Sequence, residues 1–331
     1  MFKNKTLLIT GGTGSFGRAF VKHVLKKYKN IKRLIIFSRD EFKQYEMRKI
    51  FSDSNYKCIR YFLGDVRDLN RLNLAFKDVD YVIHAAALKQ VPAAEYNPIE
   101  FIKTNVIGSQ NVIEAAIEKK VKKVLALSTD KASSPINLYG ATKLCADKLF
   151  LSANSLVGKK STTFSVVRYG NVFGSRGSVI PLFIDLAKKR QKLSITDPNM
   201  TRFNIDLDDA VKLVDNVIKT SFGGEIFVPK ISSYKITDVA KAIQDKNNTN
   251  IIGIRPGEKL HEELISKTEG YNTFDVGKYF IIAGNQESIN FYKKKKYKKI
   301  KEGNSYNSLN NSDFLTVAQL KKLIKNYKSK L

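Results

Sequence analysis

The sequence predicts an α/β protein with a doubly wound parallel sheet of the Rossmann type and a smaller C-terminal substrate-binding lobe. A short apolar strand, Lys5 to Thr10, runs directly into a glycine-rich turn and then into apolar residues at helical spacing. Strand-like and helix-like segments then alternate as far as residue 168. The pattern from residue 169 to 331 is less regular. We therefore expect a cofactor-binding domain at 1–168 and a substrate lobe at 169–331, with some late segments returning to the sheet.

Length and composition exclude several classes of protein. The 331 residues, 43% of them hydrophobic, are enough for one large or two closely associated domains with a real core. No apolar run approaches the roughly 18 residues of a spanning helix, and the first apolar run is too short for a signal peptide. Cys58 and Cys145 have no metal-binding or disulfide-framework spacing. We expect a cytoplasmic protein without a metal site or a membrane partner.

The formal net charge of +27 favours an anionic partner without identifying it. Residues 1–50 hold 13 Lys or Arg against 3 Asp or Glu, and residues 285–331 hold 12 against 3. A positive field attracts a nucleotide-sugar as well as a polynucleotide. The basic run from Lys293 to Lys301 is expected to be a solvated turn, with RNA or lipid contact as the alternative.

The first turn predicts a dinucleotide site. Gly11, Gly14 and Gly17 form a GxxGxxG pattern directly after the first strand. Such a turn lets the backbone approach a pyrophosphate and directs the positive end of the next helix toward it. The alternative is a tight turn with a structural role alone. The predicted cofactor contacts here are Gly11, Thr13, Gly14, Ser15, Phe16 and Gly17.

The end of the second strand, Arg33 to Ser38, favours NADP over NAD. NAD sites usually place an acidic group here, whereas the 2′-phosphate of NADP needs cations. Ser38 is followed by Arg39 and, one helical turn on, by Lys43, and both cations can bind a phosphate. Asp40 keeps NAD as an alternative, and Arg39 could also be an ordinary surface arginine.

Four further strands complete the predicted sheet. They are Cys58–Leu63, Tyr81–Ala85, Val124–Ser128 and Thr163–Arg168. Parallel strands end at one edge, so the loops that follow them should meet at the cofactor. Asp65 is a candidate acceptor for the adenine amino group, or else a loop or capping aspartate. The other loop residues expected at the cofactor are Val66, Ala85, Ala86 and Lys89.

The chemistry is predicted between residues 128 and 143. Tyr139 and Lys143 are four apart, so on a helix they share one face, and a nearby ammonium should lower the tyrosine pKa toward that of a general base. YxxxK alone also occurs on solvated helices. Together with the GxxGxxG turn and the strand ending in Ser128 and Thr129, however, it resembles the extended short-chain dehydrogenase/reductase superfamily. That resemblance implies that Tyr139 moves a hydroxyl proton, Lys143 supports it and the ribose, and Thr129 or Ser128 binds the reacting oxygen.

Longer segments resemble one family within that group. They are HAAALKQVPAAEYNP (84–98), STDKASSPINLYGATKL (128–144), RYGNVFGSRGSVIP (168–181), ITDPNMTRF (195–203), GGEIFVPKI (223–231) and GIRPGEKLHE (253–262). They are similar to the configuration-inverting UDP-N-acetylglucosamine 4,6-dehydratases that begin pseudaminic acid synthesis for flagellin or surface glycans. Asp130-Lys131 stands where retaining dehydratases carry Asp-Glu. The resemblance implies UDP-N-acetylglucosamine as substrate, a tightly bound NADP regenerated in each cycle, and a homo-oligomer.

The resemblance also implies roles for individual residues. Lys131 is the expected base at sugar carbon 5 if burial and nearby positive charge depress its pKa, and a protonated Asp130 is the expected acid for the leaving 6-hydroxyl. Arg255 is assigned to the pyrophosphate and Glu258 to the nucleoside. The sugar pocket is assigned to Lys89, Asn171, Arg176 and Arg202. The alternatives are another extended enzyme of the superfamily acting on a UDP-sugar, namely an epimerase or a capsule-pathway dehydratase, and a basic RNA-binding protein on a dehydrogenase fold.

Overall fold

Strands and helices alternate along the first half of the chain. The structure is a computed structural model that describes residues 1–158, 162–175, 177–244 and 248–329. Its first six strands differ from the predicted ones by no more than one residue at either end. They are β1 (Thr6–Thr10), β2 (Arg33–Ser38), β3 (Ile59–Leu63), β4 (Tyr81–His84), β5 (Lys123–Thr129) and β6 (Thr163–Tyr169). The helices among them are α1 (Ser15–Lys27), α2 (Glu41–Ile50), α3 (Leu69–Ala75), α4 (Val91–Tyr96), α5 (Pro98–Phe101), α6 (Gly108–Glu118) and α7 (Leu138–Ser152), with a π-helical segment at Ile102–Ile107 and 3-10 turns at Asp130–Ala132 and Ala153–Ser155.

The second half consists of shorter elements. Its strands are β7 (Asn171–Val172), β8 (Leu193–Ile195), β9 (Thr201–Ile205), β10 (Glu225–Pro229), β11 (Ser233–Lys235), β12 (Thr249–Ile251), β13 (Glu263–Ile265), β14 (Thr273–Asp275), β15 (Tyr279–Ala283), β16 (Lys298–Lys299) and β17 (Tyr306–Asn307). Its helices are α8 (Val179–Lys188), α9 (Leu207–Thr220), α10 (Ile236–Ile243), α11 (Lys267–Gly270), α12 (Gln286–Lys294) and α13 (Val317–Lys328).

The predicted doubly wound sheet is confirmed. Within the described residues the main sheet has ten strands in the order β16-β14-β15-β10-β6-β5-β4-β1-β2-β3. The strands from β10 to β3 in this order pair in parallel, while β15, β14 and β16 extend the sheet with antiparallel pairs. The order reverses at β1, and a doubly wound sheet binds its ligands where such a reversal occurs.

Apolar side chains cover both faces of this sheet. On one face α1 and α9 contribute Phe20, Val24 and Val214, and on the other face α6 and α7 contribute Val112 and Phe150. A separate, smaller cluster joins α8, α10 and α13. None of the helices in the described part of the chain is both long and apolar enough to cross a membrane. The side chains of Lys293 to Lys296, at the end of α12, are exposed.

The first glycine turn lies directly against the loop that follows β4. Gly11 has φ +65°, a left-handed conformation that side chains other than hydrogen adopt at a cost. A Cβ atom on Gly11 would lie 2.8 Å from the backbone nitrogen of Ala86 and 2.9 Å from the carbonyl of Ala85. The absence of a side chain therefore brings two predicted cofactor segments into contact.

Gly11→Ala is expected to lower the free energy of unfolding by more than the left-handed backbone alone costs, which is about 1–2 kcal/mol. The additional loss comes from the contact with Ala85 and Ala86. The matched control is Gly277→Ala, because Gly277 has φ +86° and open space where a Cβ would lie. Urea unfolding of both ligand-free variants separates the two contributions. Equal losses would show that the close approach contributes nothing.

Candidate active site

A cleft of about 1370 Å³ lies at the edge where the parallel strands end. Its walls include the first glycine turn, the loops after β2 to β6 and segments of the second half of the chain. The structure therefore brings together residues that the sequence assigned to cofactor, catalysis and substrate. Those on the wall are Gly11, Thr13, Gly14, Ser15, Phe16, Gly17, Ser38, Arg39, Lys43, Asp65, Val66, Ala85, Ala86, Lys89, Thr129, Lys131, Tyr139, Lys143, Asn171, Arg202, Arg255 and Glu258.

The glycine turn forms one end of the cleft. Gly14 occupies the N-cap of α1, where it has no side chain to cover the amides of the first helical turn. The Thr13 Oγ1 atom lies 2.8 Å from the Ser38 Oγ atom, which joins this turn to the end of β2. The turn thus offers backbone donors and a positive helix end to an anionic group.

The cations expected to select NADP already have carboxylate partners. Arg39 Nη1 lies 3.7 Å from Asp65 Oδ2, and Lys43 Nζ lies 2.6 Å from Asp40 Oδ2. Asp65 also accepts hydrogen bonds from the backbone and guanidinium of Arg67. Both cations are about half exposed, and exposed pairs contribute only about 0–1 kcal/mol. These pairs therefore do not prevent either side chain from turning toward a phosphate.

Tyr139 and Lys143 lie on the buried face of α7. The side chain of Asn137 caps this helix by accepting a hydrogen bond from the Gly140 amide. Lys143 Nζ donates to the carbonyl of Leu127 at 2.8 Å, so the lysine joins the helix to β5. Thr129, at the end of β5, lies near enough to Tyr139 to lower the pKa of its hydroxyl.

The expected depression of the tyrosine pKa by Lys143 was wrong for the ligand-free chain. Burial raises the pKa of Tyr139 to about 12, and the ammonium that opposes this increase belongs to Lys131. Thr129 also lowers the pKa of Tyr139. Lys131 and Thr129 are therefore the groups that favour the phenolate here.

Lys131 lies between two carboxyl groups. Its Nζ atom is 3.1 Å from Asp130 Oδ1 and 3.2 Å from Glu262 Oε1. Burial lowers the pKa of Lys131, but these two groups raise it well above its ordinary value, so the expected depression was also wrong for the ligand-free chain. A buried ammonium with two acidic neighbours retains its proton.

Asp130 lies behind the wall of the cleft. Its side chain is 0% exposed, and its Oδ1 atom accepts a hydrogen bond from the Thr129 hydroxyl at 2.8 Å. The Oδ2 atom is buried and has no hydrogen-bond partner among the described residues. Burial raises the pKa of Asp130 above its ordinary value despite Lys131. The carboxyl group therefore faces the cleft only through Thr129 and Lys131, instead of contacting a ligand directly as the sequence analysis assumed.

The residues assigned to the substrate differ from one another in exposure and in the groups that they contact. Arg255 is exposed and pairs with Glu258, with 3.0 Å between Nη2 and Oε1. Arg202 is nearly buried, and its Nη1 atom donates to the carbonyls of Thr201 and Leu260. The Asn171 Oδ1 atom lies 3.5 Å from Lys131 Nζ. Burial and the charge of Lys131 lower the pKa of Lys89. Arg176 lies outside the described residues.

Three residues that organise this cleft were not predicted from the sequence. Glu262 ends the GIRPGEKLHE segment, and its place beside Lys131 depends on long-range folding. Asn105, in the π-helical segment, binds both backbone polar groups of Leu88 and the hydroxyl of Thr142. Arg168 was taken only as the end of a strand. A buried charge within an apolar strand was the available signal for Arg168.

Arg168 joins β6 to α7 and to the late chain. Its side chain is 0% exposed, with Nη2 3.2 Å from Asp147 Oδ2 and Nη1 2.9 Å from Glu269 Oε1. Asp147 also accepts a hydrogen bond from Ser128 and lies one helical turn beyond Lys143. This buried network therefore fixes the back of the helix that carries Tyr139.

The glycine turn and the Tyr139–Lys143 helix, facing one cleft of a doubly wound sheet, are the arrangement of an extended short-chain dehydrogenase/reductase. The chain belongs to the polysaccharide biosynthesis protein family, which matches residues 7–284.

Two relatives carry different names. The chain is 54% identical to a Campylobacter jejuni protein named UDP-N-acetylglucosamine 4,6-dehydratase (inverting), with 98% of each chain covered. It is 45% identical to a Rickettsia bellii protein named UDP-glucose 4-epimerase, covering 98% of this chain and 97% of that one.

Solved structures share the fold. The structure of Pen from Bacillus thuringiensis has 40% identity and a TM-score of 0.88, and the match covers 98% of this chain and 99% of that chain. A dTDP-glucose 4,6-dehydratase from Streptomyces venezuelae with NAD bound has 22% identity and a TM-score of 0.69, covering 77% and 86% respectively. This second likeness concerns the fold alone.

Arg168→Met is expected to destabilise the protein by about 3–5 kcal/mol, because it leaves the carboxylates of Asp147 and Glu269 without their shared cation. Adding Asp147→Asn and Glu269→Gln removes the uncompensated charges and should recover part of the loss. Urea unfolding of the single and triple variants measures both effects. A single variant as stable as the parent would rule out this role for Arg168.

Proposed function

We propose that this protein is a configuration-inverting UDP-N-acetylglucosamine 4,6-dehydratase that uses a nicotinamide cofactor. The observation that carries the proposal is the Asp130–Lys131 pair beside Tyr139. Oxidation at a sugar hydroxyl needs only the Tyr139 and Lys143 set, whereas loss of water needs a further acid and base. The name of the relative at 54% identity supports the same reaction. The epimerase name at 45% identity makes epimerisation the second candidate.

A nicotinamide dinucleotide fits the residues of the cleft. The turn from Gly11 to Gly17 can hold the pyrophosphate, since a Cβ on Gly11 would meet the neighbouring backbone. When bound, the cofactor would supply hydride transfer, taking a hydride from sugar carbon 4 and returning it to carbon 6. We assign NADP as the preferred form, because Arg39 and Lys43 lie at the end of β2 within reach of a 2′-phosphate.

Tyr139 takes the proton from the 4-hydroxyl in this scheme. With a pKa raised to about 12, its phenolate is scarce in the ligand-free chain, so added positive charge in the cleft should activate it. Thr129 contacts the reacting oxygen, and Lys143 holds the ribose from the buried side of α7. The resulting 4-ketone acidifies the proton on carbon 5.

Lys131 and Asp130 carry out the elimination. Lys131 first passes its ammonium proton to Glu262 Oε1, 3.2 Å away, and the neutral amine then accepts the proton from carbon 5. The electron pair of that C–H bond forms the C5–C6 double bond, and the C6–O bond breaks. The departing hydroxyl takes the proton of the Thr129 hydroxyl, and Thr129 takes the proton of Asp130 across the 2.8 Å that separates Thr129 Oγ1 from Asp130 Oδ1. A proton then enters carbon 5 from the opposite face, which gives the inverted configuration.

The second half of the chain is proposed to hold the UDP-sugar. Arg255 would turn from Glu258 to the pyrophosphate, since a guanidinium fork matches phosphate oxygens. Glu258 would then orient the nucleoside. Lys89 and Asn171 line the same cleft as Lys131, and we assign both to the sugar. Arg202 would support the sugar pocket indirectly, by binding the backbone carbonyls of Thr201 and Leu260.

The wider role follows from the family resemblance. We propose that the product is the first intermediate of pseudaminic acid synthesis, used for flagellin or surface glycans. A cytoplasmic homo-oligomer belongs to the same proposal. The free thiols of Cys58 and Cys145 suit a reducing compartment.

Incubation with UDP-N-acetylglucosamine in heavy water tests the reaction. A dehydratase yields a 4-keto-6-deoxy product that has lost one water, with deuterium at carbon 5 and inverted configuration by proton NMR. An epimerase leaves the mass of the substrate unchanged apart from deuterium. Absence of water loss would reject the dehydratase assignment.

Lys131→Ala and Tyr139→Phe should block different stages. Lys131→Ala keeps Tyr139 and Lys143 but removes the ammonium that favours the Tyr139 phenolate, so reduced nicotinamide should still form, more slowly. Water loss and deuterium uptake should fall about 10²-fold or more. Tyr139→Phe removes the partner proton transfer and should suppress both stages. Single-turnover absorbance and mass measurements follow the two stages separately. Normal carbon 5 exchange in Lys131→Ala would place the base elsewhere.

Arg39→Ala should weaken NADP binding far more than NAD binding. Only NADP loses a charge-assisted contact, worth about 1.5–3 kcal/mol. Calorimetric titration of both cofactors measures the difference. Arg48→Ala is the matched control, because Arg48 lies in the following helix α2 and pairs with Asp53. Equal weakening of the two cofactors by Arg39→Ala would contradict the NADP assignment.

A further inference from the structure

Two buried carboxyl groups share one ammonium at the base of the cleft. Lys131 Nζ is almost equidistant from Asp130 Oδ1, at 3.1 Å, and Glu262 Oε1, at 3.2 Å. The two carboxyl side chains are 0% and 3% exposed. Each also has one buried oxygen without a hydrogen-bond partner among the described residues. Lys131 alone cannot compensate two buried carboxylates at full strength, so the other neighbours of each carboxyl group decide which of the two holds a proton.

The backbone of Glu262 is fixed on both sides. Its amide donates to the Ser308 Oγ atom at 2.9 Å, and its carbonyl accepts from the Ser308 amide at 2.8 Å. The Ser308 hydroxyl in turn lies 2.7 Å from the hydroxyl of Thr201. The carboxyl group is therefore held beside Lys131 by a paired segment of the chain rather than by a free loop.

The neighbours of the two carboxyl groups differ. Arg202 Nε lies 3.6 Å from Glu262 Oε1, so Glu262 has a second cation, whereas Asp130 has the Thr129 hydroxyl. Other titratable groups around the cluster are Tyr139 on α7, Tyr234 on β11, Lys259 and Glu263 beside Glu262, and Lys89 on the facing loop. The added charge of Arg202 thus favours ionisation at Glu262 over Asp130.

We propose that Glu262 is a positioning residue that serves as the counter-ion of Lys131 and thereby leaves the proton on Asp130. This inference rests on the proposed dehydratase function, in which Asp130 is the acid. Burial raises the pKa of Glu262, but Lys131 and Arg202 hold it below its ordinary value. Burial raises the pKa of Asp130, and the charge of Glu262 adds to that increase against the effect of Lys131.

Glu262→Gln should convert Asp130 into the ionised partner of Lys131. Without the negative charge of Glu262, the pKa of Asp130 falls, and Asp130 loses its proton at lower pH. Elimination requires the protonated acid, so the rate should decline with rising pH at a midpoint about one pH unit lower. Near neutral pH the elimination rate should fall about 10-fold, while formation of reduced nicotinamide continues. If Glu262 contributed only to packing, Glu262→Gln would lower the elimination rate without moving the midpoint of its pH dependence.

Two further variants separate charge from shape. Glu262→Asp keeps the negative charge but moves it away from Lys131 and Asp130 by the length of one methylene. It should therefore shift the midpoint of the pH profile less than Glu262→Gln does. Glu263→Gln is the matched control, because Glu263 accepts hydrogen bonds from Ser133 and Ser134 outside the cluster. It should leave the pH profile in place. If Glu262→Gln does not fold, Glu262→Asp provides the same test with a smaller shift.

A titration of the ligand-free protein distinguishes failure of this inference from failure of the proposed function. Aspartate carboxyl groups labelled with carbon-13 are followed by NMR, and the Asp130 signal is the one absent in Asp130→Asn. Its midpoint should fall in Glu262→Gln and stay constant in Glu263→Gln. An unchanged or higher midpoint in Glu262→Gln overturns the proposal. If the parent protein removes no water from UDP-N-acetylglucosamine, the dehydratase assignment fails, while this titration still decides the role of Glu262.

Discussion

The ammonium of Lys131 is the contact on which the arrangement of the cleft depends. It joins the end of β5, through Asp130, to the segment that leads into β13, through Glu262. These two carboxyl groups come from opposite halves of the chain. Because burial makes an unpaired charge costly, the late segment cannot leave the end of β5 without exposing or neutralising its carboxylate. The same interaction therefore sets the charges in the cleft and holds the two halves of the chain together.

A second buried charge network lies on the neighbouring strand. Arg168 binds Asp147 of α7 and Glu269 of the late chain at the same edge of the sheet. Ion pairs in such places are expensive to desolvate, and apolar side chains of similar volume could replace them without loss of stability. What they provide is orientation: Arg168 holds the helix of Tyr139 from behind through Asp147, and Lys143 joins that helix to β5 through the carbonyl of Leu127. The position of the tyrosine relative to β5 is thus determined from two sides.

The sheet and the glycine turn follow from local pattern. Predicted strands of five or six residues, separated by segments with helical spacing, locate β1 to β6 within one residue of their ends, because the period of side-chain burial differs between strand and helix. The GxxGxxG turn likewise appears in the sequence with its strand and helix. The protonation of the cluster does not follow from local pattern. Lys131 was expected to have a depressed pKa, and the partner that reverses this, Glu262, lies more than one hundred residues away.

By itself, the sequence determined the order of elements in residues 1–168, the edge of the sheet at which their loops converge and the residue types that meet there. Strand ends collect at one edge for a topological reason, so the loops that carry Gly11, Thr129 and Asn171 had to converge. Only the tertiary structure decided which of these groups contact one another. It placed Asp130 behind Thr129, gave the Arg202 side chain a backbone carbonyl as its partner and placed the Glu262 carboxyl group beside the Lys131 ammonium. Electrostatic interaction depends on distances of a few ångströms and on burial, and long-range packing sets both quantities.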